Sequence, residues 1–476
     1  MFSGGNNGYF AEYAHAAELR GFPAPIAKYQ VSAERYREEK FLPVSGTEMT
    51  VAKRDFSALA DLLASGINSD QVAEFKKRNR SITLSMDAAL QTRIELALQA
   101  DDRVNRKEVS VVIMKDNTGD VLASACWPLP PVNDWEKLTL PQNALNKLPG
   151  WNVNTDLGFT HATQPGSTAK LATALAAFNK LGVAAAKKTI RVYPKDLIRV
   201  TGPEPDEAGL INIEKGLVKS NNSFFIRLAN EDQLQEQMVN LYMQSGMFLG
   251  GVGGYYFEND NSNTAQQEKW RKFWRETQFK SLKRYDPNNI RRTRALGISG
   301  MAWGQGELVA TPASVARIAS GIANNGIMMP SRYVLDVNGH ATQPKDGIAI
   351  AGNPVYAQDL TKYMREQSAP KKPQFGIFVA GKTGTPERIL KGESINDGWY
   401  VFFAPAANDT GNVVVCIRIE GTKGSSDAVA LAGEHIIPLL LQSNYIKSFD
   451  PLPKAGLPQV DNTNDLTIRP TAPIIH

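Results

Sequence analysis

Gln164-Pro165-Gly166-Ser167-Thr168-Ala169-Lys170 is the stretch on which this chain's reading turns. The Pro-Gly pair interrupts the chain, and the residues after it predict a helix from Ser167 to about Leu181, stopped at Gly182. Leu171, Leu175, Phe178 and Leu181 form its apolar stripe. Ser167 and Lys170 then share a face, because side chains at i and i+3 are neighbours on a helix. A serine hydroxyl is a poor nucleophile until a base removes its proton. Lysine can be that base only when neutral, and burial or a nearby cation favours the neutral form. A helix N-terminus also offers free backbone N–H groups to a developing oxyanion. Alone, Ser-x-x-Lys recurs by chance in a chain this long and mostly marks a solvated helix face.

Two later segments bear on it. In Lys219-Ser220-Asn221-Asn222-Ser223, Ser220 suits a proton relay to Lys170, and Asn222 suits orienting that lysine or a substrate amide. The same residues also read as a plain helix cap or turn. Lys382-Thr383-Gly384-Thr385 ends an apolar run and precedes Pro386. A strand edge there offers main-chain groups to an extended peptide. Gly384 permits close approach, and Lys382, Thr383 and Thr385 can hold a carboxylate. An ordinary strand end with an edge lysine has the same appearance.

The rest of the chain predicts an α+β fold, a central antiparallel β-sheet flanked by helices. Ile82 to Met86 alternates like a short strand, and Asp87 caps a helix with Leu90, Ile94 and Leu98 on one face. Val109–Met114 and Val121–Ala123 flank a turn at Asp116–Asp120, a hairpin. Thr311-Pro312 opens a helix that ends near Asn324-Asn325-Gly326. Phe375 to Ala380, Trp399–Phe403 and Val413–Ile417 read as strands, and Asp427 to Leu441 as a helix. The expected organisation is an N-terminal linker or accessory region over 1–80, with a helix-like stretch from Asp55 to Lys77. A catalytic domain over 81–445 carries an irregular insertion or lid at about 231–290, and an extended tail covers 446–476.

Composition narrows the chemistry. With 476 residues, 42% of them hydrophobic and 21% charged, the chain is globular in character and allows two or three domains of roughly 150 residues. A net charge of +5 is too thin for nucleic acid as the main partner. Cys126 and Cys416 sit in apolar runs and read as small buried hydrophobes, with no multi-cysteine zinc site. His15, His161, His340, His435 and His476 lack ligand spacing, so no metal is expected. No 18-residue apolar stretch occurs, and Met1 to Gly5 does not read as a signal peptide.

Ser167-x-x-Lys170, Ser220-x-Asn222 and Lys382-Thr383-Gly384 follow one another in the order found in penicillin-binding proteins and serine β-lactamases. The chain resembles the transpeptidase domain of high-molecular-weight penicillin-binding proteins from about Ile82 to Leu441. Thr83 to Gln91 is similar to the family's opening "LTID..LQ", and Lys115 to Ala123 to its "d..tG.ilA" hairpin. Gln164 to Lys170 looks like "ePGStfK", with Thr168-Ala169 in place of the commoner Thr-Phe. Gly304 to Glu307, Thr311-Pro312 and Ala323 to Gly326 resemble "GqG...TP......AN.G", and Gly398 to Pro405 resembles "aWFvgfaP".

The resemblance implies that Ser167 attacks the D-Ala-D-Ala bond of a peptidoglycan stem peptide, with Lys170 as base and Ser220 and Asn222 assisting. Lys382, Thr383 and Thr385 would hold the terminal carboxylate, with Gly384 between them, and the N–H groups of Ser167 and Thr385 would form the oxyanion hole. β-Lactams would acylate Ser167, and no cofactor is expected. Asp55 to Leu63 resembles the stretch before the domain in transpeptidases fused behind a membrane polymerase of the FtsW/RodA type, which would make this chain the soluble part of a larger protein and such a polymerase its partner. Work on murein implies an extracytoplasmic site and an anchoring segment outside this chain. Three alternatives stay open: a β-lactamase or β-lactam sensor, a D,D-carboxypeptidase, and a catalytically silent cell-wall scaffold.

Overall fold

The computed structural model describes residues 82–104, 107–127, 157–159, 162–198, 207–249, 285–294, 297–306, 308–337, 339–390, 393–408 and 410–452. The expected helix at Asp55–Lys77, the Gly-rich stretch 250–254 and nearly all of the tail lie outside them. Their first elements are strand β1 (Ile82–Leu84) and helix α1 (Ala88–Ala100), whose Asp87 cap accepts from the N–H groups of Ala89 and Leu90. The hairpin follows as β2 (Val109–Lys115) and β3 (Val121–Trp127). A helical half comes next: α2 (Lys170–Leu181), α3 (Ile213–Val218), α4 (Asn222–Glu231), α5 (Gln235–Ser245), α6 (Pro312–Ala323) and α7 (Pro354–Ser368). Four strands then return to the hairpin: β4 (Ala380–Gly384), β5 (Glu387–Leu390), β6 (Glu393–Pro405) and β7 (Asn412–Thr422).

The six-stranded sheet runs β4-β6-β7-β2-β3, with β5 also paired to β6, and every pairing is antiparallel. Strand side chains alternate between faces. Trp399, Val401, Phe403, Val414 and Cys416 therefore share one core with α2 and α6, while Tyr400, Phe402, Val415, Ile417 and Ile419 share another with α1 and the C-terminal helices. Both faces are covered, which is why β2 and β7 read as continuous apolar runs rather than as alternation. Cys126 and Cys416 are buried and unbridged.

The outer edge of β3 is blunted by a side chain. Gln91 of α1 accepts from Ser124 N (3.0 Å) and donates to Ser124 O (3.1 Å), supplying the bonds a further strand would make. At the opposite edge, β4 is set by its register on β6, Lys382 opposite Val401 and Gly384 opposite Trp399.

Four sequence expectations need correction. The strand expected from Phe375 begins only at Ala380; Phe375 instead closes a helical turn (Lys372–Phe375) ended by Gly376 at φ +73°. The segment expected to be irregular from 231 opens with α5, which buries Met238, Leu241 and Tyr242 on one side. Ser167 does not start an α-helix; it lies in a 3-10 turn, Gly166–Ala169, ahead of α2. The body of the domain also runs past 445: Ala406 bridges Ile446, and Phe449 N donates to Phe378 O (3.1 Å).

Candidate active site

The 3-10 turn is what aligns the first motif. Lys170 N donates to Ser167 O, and in such a turn side chains at i and i+3 eclipse one another. Ser167 is half-buried, whereas Lys170 is fully buried at the head of α2. Gly166 has φ +55°, a conformation that suits glycine. A Cβ on Gly166 would lie 2.8 Å from Pro386 N and 3.0 Å from Thr385 N. One on Gly304 would lie 1.8 Å from Gly166 O, and Gly166 N donates to Gly304 O (2.9 Å). The nucleophile turn is thus clamped between the end of β4 and the Gly304 loop.

Ser220 occupies the joint between α3 and α4 at φ +55°, a strained position for a non-glycine residue. Asn221 caps α4 by accepting from Phe224 N (2.8 Å), which leaves Asn222 on the first turn with its amide turned inward. Lys170 Nζ donates to Asn222 Oδ1 (2.6 Å), to the Ser220 carbonyl, and to Ser220 Oγ (3.1 Å). Lys382 Nζ reaches the same hydroxyl at 2.9 Å and its neighbour's carbonyl, Thr383 O, at 3.2 Å. Four of the expected residues, Lys170, Ser220, Asn222 and Lys382, therefore form one network drawn from three distant segments.

Burial drives the Lys382 amine well below the ordinary lysine range, and the positive charges of Lys170 and Lys371 push the same way. Lys371, in the 3-10 turn after α7 (Ala369–Lys371), is itself pushed down to about 8 by burial.

The last part of the site is the end of β4. Gly384 backs onto the nucleophile turn: a Cβ there would meet Pro165 O at 2.7 Å. Thr383 Oγ1 accepts from Gln367 Nε2 (3.1 Å), and Thr385 Oγ1 accepts from Ser425 N (3.0 Å). Gln305 ties the adjacent hairpin down, bonding both main-chain groups of Glu387 (2.9 and 3.1 Å) and Gln164 Oε1 (3.0 Å).

Lys170, Ser220, Asn222 and Lys382 share one hydrogen-bond network, Ser167 lies in the turn that leads into Lys170, and Gly384 packs against that turn. Gln367, Lys371, Gly304 and the Ser425 N–H were not anticipated. Gly304 stood within a quoted motif; nothing in sequence marks Gln367 or Lys371. Among the described residues no group of three His, Cys, Asp or Glu side chains is placed to hold a metal, and no helix is long and apolar enough to cross a membrane.

The family model for the penicillin binding protein transpeptidase domain matches residues 109–436. The chain belongs to this family. Over 147 residues it is 33% identical to peptidoglycan D,D-transpeptidase PbpA of Mycolicibacterium smegmatis, a match covering 29% of this chain and 30% of that protein. It superposes on the penicillin G acyl-enzyme complex of penicillin-binding protein A from Mycobacterium tuberculosis with a TM-score of 0.56 and 19% identity, covering 91% of this chain and 92% of that one. The transpeptidase domain of penicillin-binding protein 3 from Burkholderia pseudomallei gives a TM-score of 0.52 at 18% identity, covering 77% and 98%. These structural likenesses bear on the fold, a central antiparallel sheet with helices.

Proposed function

We propose that this chain is a serine D,D-transpeptidase that cross-links peptidoglycan stem peptides and is acylated by β-lactams. One observation carries the reading: Lys170 and Lys382 converge on the Ser220 hydroxyl, with Asn222 bonded to Lys170, beside a nucleophile turn that holds the half-buried Ser167. Two buried amines sharing one hydroxyl are costly for stability and useful for moving a proton.

The chemistry runs in two halves. Ser167 Oγ attacks the carbonyl carbon of the penultimate D-alanine while its proton passes to the Lys170 amine, which must be deprotonated to accept it. The N–H groups of Ser167 and Thr385 face the oxyanion. The C–N bond then breaks, and the departing D-alanine amine takes a proton through Ser220. An amine of a second stem peptide attacks the acyl ester in turn, its proton returns to Ser167 through Lys170, and a new amide is left behind. Asn222 holds the Lys170 amine in line throughout. Lys382, Thr383 and Thr385 hold the substrate's terminal carboxylate, which a β-lactam's carboxylate imitates.

The substrate places this work on the outer side of the cytoplasmic membrane. A membrane anchor and a glycan polymerase of the FtsW/RodA type as partner extend the same reading; the anchor follows from work on murein and the polymerase from the sequence of Asp55 to Leu63, and co-purification of such a polymerase tests the latter.

The test is a reaction with a stem pentapeptide donor and an amine-bearing acceptor, followed by mass spectrometry. The expected products are free D-alanine and a cross-linked dimer, both lost in Ser167→Ala. A hydrolysed tetrapeptide without dimer would instead indicate a carboxypeptidase, and no D-alanine release at all would contradict the proposal.

A further inference from the structure

Thr383 lies on β4 and Thr385 immediately follows its last residue, Gly384. Each hydroxyl oxygen already accepts a hydrogen bond from the protein, Thr383 from Gln367 Nε2 (3.1 Å) and Thr385 from Ser425 N (3.0 Å). A hydroxyl that accepts from a fixed donor still has its own proton to give. Among the described residues no acceptor takes either proton. Two such protons at the end of β4 suit a ligand group that only accepts, such as a carboxylate.

The backbone N–H that polarises Thr385 is a fixture of the fold. The donor that polarises Thr383 is a side chain, and the backbone that carries it is held in place at Gln367 and at the next residue. Lys371 Nζ donates to the Gln367 carbonyl (2.9 Å), and the hydroxyl of the next residue, Ser368, is hydrogen-bonded to the buried Tyr400 hydroxyl (3.1 Å). Gln367 Oε1, by contrast, is buried without a partner among the described residues. A half-satisfied buried amide weakens the fold, so stability alone does not account for a glutamine here.

We propose that Gln367 is a positioning residue that turns the Thr383 hydroxyl proton toward the substrate carboxylate. This rests on the acyl-transfer reading above. The side chain touches neither substrate nor nucleophile; it acts by fixing which way Thr383 donates.

The test compares benzylpenicillin with its methyl ester, following the rate of adduct formation by intact mass for wild type, Gln367→Met and Gln367→Asn. Methionine removes the donor, and asparagine keeps the amide but shortens its reach. Both variants should acylate with the acid about tenfold more slowly and with the ester within about twofold of wild type, the loss expected for one hydrogen bond to a charged group. A general disturbance of the site would slow acid and ester together. An unchanged acid-to-ester ratio in both variants overturns the role of Gln367 while leaving acyl transfer intact. Failure of the wild type to form any adduct overturns acyl transfer, and this inference with it.

Discussion

The hydroxyl of Ser220 lies 3.1 Å from Lys170 Nζ and 2.9 Å from Lys382 Nζ, joining two amines that enter from opposite ends of the catalytic domain. Full solvation would keep both amines charged, and no pair of ammonium groups sits comfortably on one buried oxygen. The fold resolves the conflict by burying Lys382 and setting other positive charges near it. An amine that has given up its own proton can take up the one that a serine nucleophile must lose.

Because Ser220 combines a strained backbone with that bridging hydroxyl, two substitutions separate its roles. Ser220→Gly relieves φ +55° and should keep or raise the melting temperature, whereas Ser220→Ala should not. Both should slow β-lactam acylation by about 100-fold or more, the range of a lost proton-transfer group. Thermal melts and acylation rates on the same samples check this.

Lys170→Ala should remain folded yet acylate about 100- to 10,000-fold more slowly, since the lost amine serves the chemistry. Circular dichroism together with labelling by a fluorescent penicillin reads both parts. Normal labelling would remove Lys170 from the mechanism.

Gly304→Ala should damage the site from a distance. Its Cβ would fall 1.8 Å from Gly166 O, at a backbone φ of +81°, so the nucleophile turn must shift. Stability should drop by about 1–3 kcal/mol, with acylation slowed as well. Gly339→Ala is the control: φ is +86° with no atom within 4 Å, so a purely local cost of about 1 kcal/mol and normal acylation are expected.

Glu95 gives a pH dependence with a definite sign. Burial raises its carboxyl from 4.5 to about 7, against the opposing hydrogen bond from Gln91. Below pH 4.5 both folded and unfolded states hold the proton, and the stabilisation is fully present. Between pH 4.5 and about 7 the unfolded chain releases a proton that the folded chain keeps, so stability falls as pH rises. The loss is at most about 3 kcal/mol. Glu95→Gln imitates the protonated form and should flatten that slope, leaving the variant more stable than wild type at pH 8. Denaturant titrations at several pH values measure it.

Much of the fold is legible in the sequence where chemistry is local. Asp87 and Thr311 cap their helices because a short polar side chain there satisfies open N–H groups, and adjacent residues encode that directly. Ser167, Lys170, Asn222 and Lys382 are legible as motifs. Their convergence is not, because it depends on how α3, α4 and β4 pack. The apolar run Phe375–Ala380 has the composition of a strand throughout, yet Gly376 adopts a left-handed conformation that splits it. Polar neighbours hide α5, whose buried Met238, Leu241 and Tyr242 have helical spacing. Gln367 carries no local signal; only the packing of α7 against β4 gives it a partner.

The most direct measurement is the intact mass of the protein followed over hours with a penicillin. A single adduct should appear on wild type, persist, and be missing from Ser167→Ala. An adduct that forms equally on Ser167→Ala, one that turns over rapidly on wild type, or none at all would contradict the account.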